Sequence, residues 1–238
     1  MSLIQKAKTL GRFAIDLVFP VSCVICGKED QFLCPECQNR LPRLEHQKCI
    51  VCQKSAPFGK THPACSTRNT ADGLICALPY SHPKIENLIR VFKYKFISDL
   101  SNSLAEIILK EIKNQNLEEY VQGFIVVPVP LHKRRFAWRG FNQAQLLSYR
   151  IAHGLILQVD NHVVLRTKNT KPQTKLTREG RKANITDAFA LNPDSMIAGK
   201  KFLLIDDVVT SGATMNEIAK LLKQNKAIEV WACAVAHG

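Results

Sequence analysis

A chain of 238 residues has room for one α/β core and a small satellite module, and its 46% hydrophobic content is ordinary for a globular protein. No stretch approaches the roughly 20 continuous apolar residues of a membrane-spanning helix, so no transmembrane segment is expected. The formal net charge is +13, but it is uneven: 12 of the 33 Lys/Arg and only 2 of the 20 Asp/Glu fall between Leu131 and Asn184. So concentrated a charge repels itself, which points to a phosphate-rich ligand, either a small polyphosphate or a nucleic acid or each in turn; a solvated basic face is the plainer alternative.

In chain order, Leu3, Leu10, Phe13, Ala14, Leu17 and Val18 repeat at the spacing of one face of an amphipathic helix. Arg12 and Asp16 interrupt the apolar stretch and no small-residue cleavage site follows, so an export signal is not expected. Nine cysteines follow, seven of them between Cys23 and Cys65. Without an export signal, such clustering points to metal rather than disulfides. Cys23-x2-Cys26, Cys34-x2-Cys37 and Cys49-x2-Cys52 are knuckles, and His62-x2-Cys65 makes a fourth. Each knuckle offers two soft ligands, and two knuckles close the tetrahedron that structural zinc requires. Four knuckles therefore predict two zinc sites. Sequential pairing groups Cys23, Cys26, Cys34 and Cys37, then Cys49, Cys52, His62 and Cys65; interleaved pairing is the alternative. His62 is the weakest ligand by sequence, since an exposed loop histidine reads almost as well. Cys76 and Cys233 lie in apolar contexts and read as core thiols.

Composition changes near Cys76–Pro79, which divides the chain into a metal-binding module, 1–78, and a second domain, 79–238. Helical spacing covers 85–96, 102–112, 142–156 and 214–224. Apolar runs at 124–129, 163–165, 201–205 and 227–236 read as strands. Strands alternating with helices imply an α/β domain with a mainly parallel sheet. Between them, 167–182 is polar and basic, with Pro172 and Gly180, and reads as a long loop.

The most informative segment runs from Phe202 to Thr214. A hydrophobic strand leads through Asp206 and Asp207 into Val-Val-Thr-Ser-Gly-Ala-Thr, which opens a helix. Loop N–H groups and hydroxyls at a helix N-terminus form an anion cradle, and a glycine lets the backbone come close to the phosphate. Two carboxylates just before it can accept hydrogen bonds from a vicinal diol. A ribose 5-phosphate presents both features.

This segment resembles the phosphoribosyl pyrophosphate (PRPP) signature of type I phosphoribosyltransferases. The resemblance implies that Asp206 and Asp207 hold the ribose hydroxyls, while Val209, Thr210, Ser211, Gly212, Ala213 and Thr214 wrap the 5′-phosphate. It also implies a Rossmann-like fold with a mainly parallel sheet. Three further blocks narrow the likeness to the ComF family. Val127-Pro-Val-Pro130-Leu131 with Arg134, Arg135 and Arg139-Gly-Phe-Asn-Gln143 is similar to its pyrophosphate loop, with Pro130 and Arg139 as ligand residues. The block from Arg166 through Thr170, Gln173, Leu176 and Arg181 to Asn184 and Phe189 is similar to its flexible loop, with Arg181 facing the ligand. Leu88-Ile89 with Lys93-Tyr94 resembles an early block whose lysine faces the active site.

The family resemblance implies structural Zn²⁺, Mg²⁺ accompanying PRPP, and a role in natural transformation. In that role the protein handles incoming single-stranded DNA on the cytoplasmic side of the inner membrane, with a helicase or an uptake channel as partner. Lys133, Arg134 and Arg135 are the residues expected to meet nucleic acid. Trp138 reads as buried, with a base-stacking platform as the alternative, and Phe136 and Phe141 read as packing residues. Some purine-specific relatives carry an acidic base where this chain has Thr210, so a 6-oxopurine salvage enzyme is not supported. An active phosphoribosyltransferase with an unknown acceptor remains the competing reading, because fold and motif alone do not settle turnover.

Overall fold

The computed structural model describes residues 21–94, 98–168, 180 and 184–238. The predicted N-terminal helical face before residue 20, and Thr170, Gln173, Leu176 and Arg181 of the predicted loop, lie outside the described residues. The described residues fall into two compact units, one ending at Leu41 and one spanning Pro42–Gly238.

The smaller unit contains the first two knuckles and one short helix, α1 (Pro35–Asn39), with Pro35 at its start and the Cys34 side chain accepting from the Cys37 N–H. In the larger unit the elements run β1 (Gly73–Pro79), α2 (Pro83–Tyr94), α3 (Leu100–Asn114), β2 (Phe124–Pro128), α4 (Lys133–Arg139), α5 (Gln143–Leu155), β3 (Gln158–Val159), β4 (Val164–Arg166), β5 (Phe189–Leu191), β6 (Lys201–Val209), α6 (Ala213–Gln224) and β7 (Glu229–His237).

Five strands form one sheet in the order β1-β7-β6-β2-β3, every pair parallel. Its central strands are near-continuous apolar runs, as strands buried on both faces must be. Phe202, Leu204, Val230, Ala232 and Ala234 face α6, whose Met215, Ile218, Ala219 and Leu222 are buried against them. Strand alternation turns Leu203, Ile205, Trp231 and Cys233 to the other face, where α3 packs on β1 and β7 and α5 on β2 and β6. Cys76 and Cys233 are buried in this core, as their contexts predict.

Several elements differ from the sequence reading: α4, β3 and β5 have no predicted counterpart, and two strands are placed differently. β1 spans the stretch where composition changes and is an edge strand of the sheet, joined to β7. The predicted strand near 163–165 does not enter the main sheet: β4 pairs antiparallel with β5 as a separate ribbon. The chain leaves β2 for β3 on one side and β6 for β7 on the other. The carboxyl ends of β2 and β6 therefore flank a topological switch point, where open α/β sheets place their ligands.

Candidate phosphate pocket and metal tetrads

A cavity of about 500 Å³ opens at that switch point. Its floor is the end of β6 and the loop after it. Thr210, Gly212, Ala213 and Thr214 all line it, as do Asp206, Asp207 and Val209. Gly212 is the N-cap of α6 at φ 72°, in the left-handed region, and among the described residues no side chain caps that helix end. The first-turn N–H groups of α6 are thus available to an anion. A Cβ on Gly212 would lie 2.6 Å from the Ile50 carbonyl oxygen, so any other residue would force that backbone to shift. Ser211 Oγ is buried and has no hydrogen-bond partner among the described residues.

The acid pair is differentiated by its surroundings. Asp207 is 5% exposed and accepts the Lys93 ammonium, from the last turn of α2, at 2.8 Å. Burial pulls the Lys93 ammonium down, but the Asp207 and Asp206 carboxylates outweigh it and hold it above its ordinary range. Asp206 Oδ1 accepts the Asp207 backbone N–H at 2.8 Å. Burial, reinforced by the neighbouring Asp207 charge, pushes the Asp206 carboxyl up to about 7.

The facing wall is cationic. Arg135 and Arg139 from α4 and Arg166 from β4 all line the cavity. Arg139 donates to Gln143 Oε1 at 3.1 Å and lies 5.0 Å over the Tyr94 ring; its buried Nε has no partner among the described residues. Arg166 donates to the Pro130 carbonyl and packs on Phe189. Burial and the Arg135 charge lower the Arg166 guanidinium to about 10, so it is still cationic at neutral pH. Guanidinium groups brought together in a partly desolvated wall repel one another unless an anion sits among them. The cavity therefore suits a ligand with phosphate at the α6 end, hydroxyls at the acid pair and further phosphate at the arginine wall.

The knuckles assemble sequentially. Cys23, Cys26, Cys34 and Cys37 form one tetrad, and Cys49, Cys52, His62 and Cys65 form the other, with the ligand atoms of each within 4.8 Å of one another. His62 fits a ligand role. Its Nε2 lies 3.0 Å from the Ser55 carbonyl, the natural acceptor for an N–H there, and its Nδ1 lies 3.3 Å from Cys52 Sγ. That arrangement leaves the Nδ1 lone pair facing the sulfurs, as zinc-binding histidines require.

The chain matches the family model of a double zinc ribbon domain over residues 14–77, and that of a phosphoribosyl transferase domain over residues 139–238. It is 33% identical to the DNA utilization protein YhgH of Escherichia coli (strain K12) over 88% of each chain. The chain belongs to the ComF family. Competence protein F of Haemophilus influenzae is 28% identical, covering 86% of this chain and 97% of its own. Competence protein ComFC of Bacillus subtilis is 26% identical, covering 85% and 83%. The ComF assignment carries with it a type I phosphoribosyltransferase fold with a mainly parallel sheet and an N-terminal double zinc ribbon. The ribbon match and the two tetrads together support structural zinc. Among the described residues, no helix is long and apolar enough to cross a membrane.

Against this geometry, most of the predicted ligand residues converge. Lys93, Arg139, Asp206, Asp207 and all of Val209–Thr214 except Ser211 line the cavity, whereas Pro130 meets it only through the Arg166 hydrogen bond. The basic trio divides: Lys133 and Arg134 are exposed, and Arg135 turns into the cavity. Trp138 is not buried; it is 62% exposed, and Phe136 is 46% exposed. The seven residues of α4 bury only Arg139, so the helix has no apolar inner face for Trp138 to join. Arg166 and Tyr94 are cavity residues to which the sequence assigned no role. Each lies inside a matched block, the one signal that could have found them.

Proposed function

We propose that this chain binds PRPP in the switch-point cavity and handles single-stranded DNA during its uptake and use, on the cytoplasmic side of the inner membrane. The observation that carries the PRPP reading is the meeting, in one cavity, of an open helix N-terminus, an acid pair and an arginine wall. Val209, Thr210, Ser211, Gly212, Ala213 and Thr214 receive the 5′-phosphate. Asp206 and Asp207 orient the ribose diol, and Lys93 positions Asp207 through their ion pair. Arg139, with Arg135, Arg166 and Arg181, receives the pyrophosphate, where planar bidentate donors are favoured, and Pro130 contributes by holding Arg166 through its carbonyl. Mg²⁺ accompanies the ligand and neutralises its pyrophosphate. If bond cleavage at C1 follows, these same groups stabilise its charge by position alone. The names of the relatives, competence and DNA utilization proteins, support the DNA half of the reading. Exposed Lys133 and Arg134 supply phosphate contacts for a strand. A helicase or uptake channel is the partner this role requires.

Calorimetric titration of PRPP with Mg²⁺ tests the reading. Wild type should bind, and Asp206→Asn/Asp207→Asn should not. Ionised Asp206 accepts more strongly from a diol than the neutral acid does, and burial pushes its carboxyl up to about 7, so affinity should rise from pH 6 to pH 8. A flat profile would place Asp206 outside the site. Pyrophosphate release during the titration would make the protein an active transferase. Well-folded, zinc-loaded protein that ignores PRPP would overturn the proposal.

A further inference from the structure

α4 is an unusual helix. Helices shorter than about 12 residues owe their stability to an apolar face packed on the protein. This one has seven residues, buries only Arg139, and turns Phe136 and Trp138 outward at 46% and 62% exposure. A third ring joins them. Tyr94, at the end of α2, is 46% exposed and stands 5.8 Å from Trp138, centroid to centroid, at 59°. Tyr94 is braced by Arg139, which lies over its ring, and Gly140 closes α4 in the left-handed conformation just after Trp138 and Arg139. The rings are therefore held in place while still accessible.

The charges around the pair decide what would cover it. Lys133 and Arg134 are exposed on the same helix, and Arg135 and Arg139 follow into the cavity. A protein partner suited to exposed aromatics alone would not need a surrounding field of cations with no acidic residue in the helix. Stacking rings interleaved with phosphate-binding cations are the recurrent chemistry of single-strand binding. We propose that Trp138 and Tyr94 form a stacking platform for unpaired bases of a single strand, with Lys133 and Arg134 on its phosphates. Because Tyr94 also lines the cavity, the platform is continuous with its mouth, and a base on Trp138 stands next to the arginine wall. This rests on the DNA half of the reading above and adds to it where the bases sit.

Tryptophan emission provides a direct test. The chain has two tryptophans, and Trp231 is only 2% exposed, so quenching on ligand addition reports on Trp138. The probe is an oligothymidylate of about 12 nucleotides, within the span of known single-strand sites, titrated into the full-length zinc-loaded protein. Emission should fall on binding; a blunt duplex, or a strand of equal charge with abasic sites, should leave it nearly unchanged. Trp138→Ala should weaken oligothymidylate binding about tenfold, the loss of one aromatic stack, and Trp138→Phe should recover most of it. Lys133→Gln/Arg134→Gln should instead lower the salt dependence of binding. PRPP titration of the Trp138→Ala protein should match wild type, which keeps the two sites separable. Oligothymidylate that binds without quenching, or equally to Trp138→Ala, would overturn the platform while leaving the DNA reading intact. Absence of any single-strand binding by wild type would overturn both.

Discussion

The two metal tetrads begin with the same knuckle and use it differently. In each, the first cysteine N–H donates to the carbonyl five residues on, and the residue four positions on donates back to the cysteine carbonyl: Cys23 with Lys28 and Gly27, Cys49 with Lys54 and Gln53. A bridge closes each turn, Ser22 with Glu29 and Lys48 with Ser55. The fifth residue is left-handed in both, Gly27 at φ 79° and Gln53 at φ 65°. A glycine takes that conformation freely; a glutamine takes it at a cost of about 1–2 kcal/mol. The second knuckle offsets this strain with a bond the first lacks. Gln53 Nε2 donates to the Ile50 carbonyl at 2.9 Å, the same carbonyl that abuts Gly212 of the phosphate loop. Ile50 itself is fully buried in the core under α6, while Val24, its counterpart, is partly exposed. The exit from the second ribbon is clamped as well. The Ala71 N–H donates to Asn216, and Lys223 reaches both the Thr70 carbonyl and Asp72. One knuckle serves its own small unit, and the other has become part of the wall behind a ligand loop.

Paired substitutions can break or sharpen this contrast. The largest effect should come from the ligands. Cys49→Ser/Cys52→Ser removes a metal whose binding is worth on the order of 10 kcal/mol of folding free energy. It should lower PRPP affinity at least tenfold, an expectation scaled by about 1.4 kcal/mol per decade. Cys23→Ser/Cys26→Ser should cost one zinc by metal analysis and leave the PRPP isotherm unchanged; equal loss in both would erase the distinction. Next, Ile50→Ala should destabilise by about 2–5 kcal/mol in urea unfolding, as a buried large-to-small change does. Val24→Ala should cost well under 1 kcal/mol. Gly212→Ala combines a left-handed φ with a backbone clash and should cost more than the roughly 1–2 kcal/mol of the φ alone. Gly27→Ala has open space at its Cβ and should cost only that φ penalty, so the difference between the two melting shifts measures the contact with Ile50. The smallest effect belongs to Gln53→Gly. It relieves strain while releasing the Ile50 carbonyl, so stability should change by less than about 1 kcal/mol, while PRPP affinity falls measurably.

How much of this was legible beforehand depended on whether a residue's role was local. Cysteine identity and x2 spacing declare knuckles, because two ligands on one tight turn are a local matter. Which knuckles share a metal is settled only when the chain closes in three dimensions. The anion cradle was legible because strand, acid pair, loop and helix are contiguous from Phe202 to Thr214. Lys93 was assigned through its block, but its ion pair with Asp207 joins α2 to β6 and leaves no mark in spacing. Arg166 reaches the cavity only because β4 pairs with β5, which is distant in sequence. Trp138 was misread because seven residues are too few for a period to show which face is inward. β1 was missed because its run, Gly73–Pro79, carries a cysteine and follows directly on the metal module.

The placement of β1 bears on how the molecule is made. Gly73 pairs with Trp231 and Pro79 with His237, and among the described residues β7 is the one strand of the sheet beside β1, with a single bridge from Lys60 to Gly73. During synthesis its parallel strand partner follows about 150 residues later, and until then β1 has the local bonds from Leu44 and Gln47 and the packing of α3. The second ribbon can take up zinc as soon as Cys65 is made, but the α6 residues that complete the cluster around Ile50 follow nearly 150 residues later in ribosomal time. Such long-range parallel closure is slow. Through most of translation the second ribbon and β1 lack the helix and the strand that complete their packing, and a chain arrested before Glu229 would hold its zinc and still lack the strand that joins β1 to the sheet.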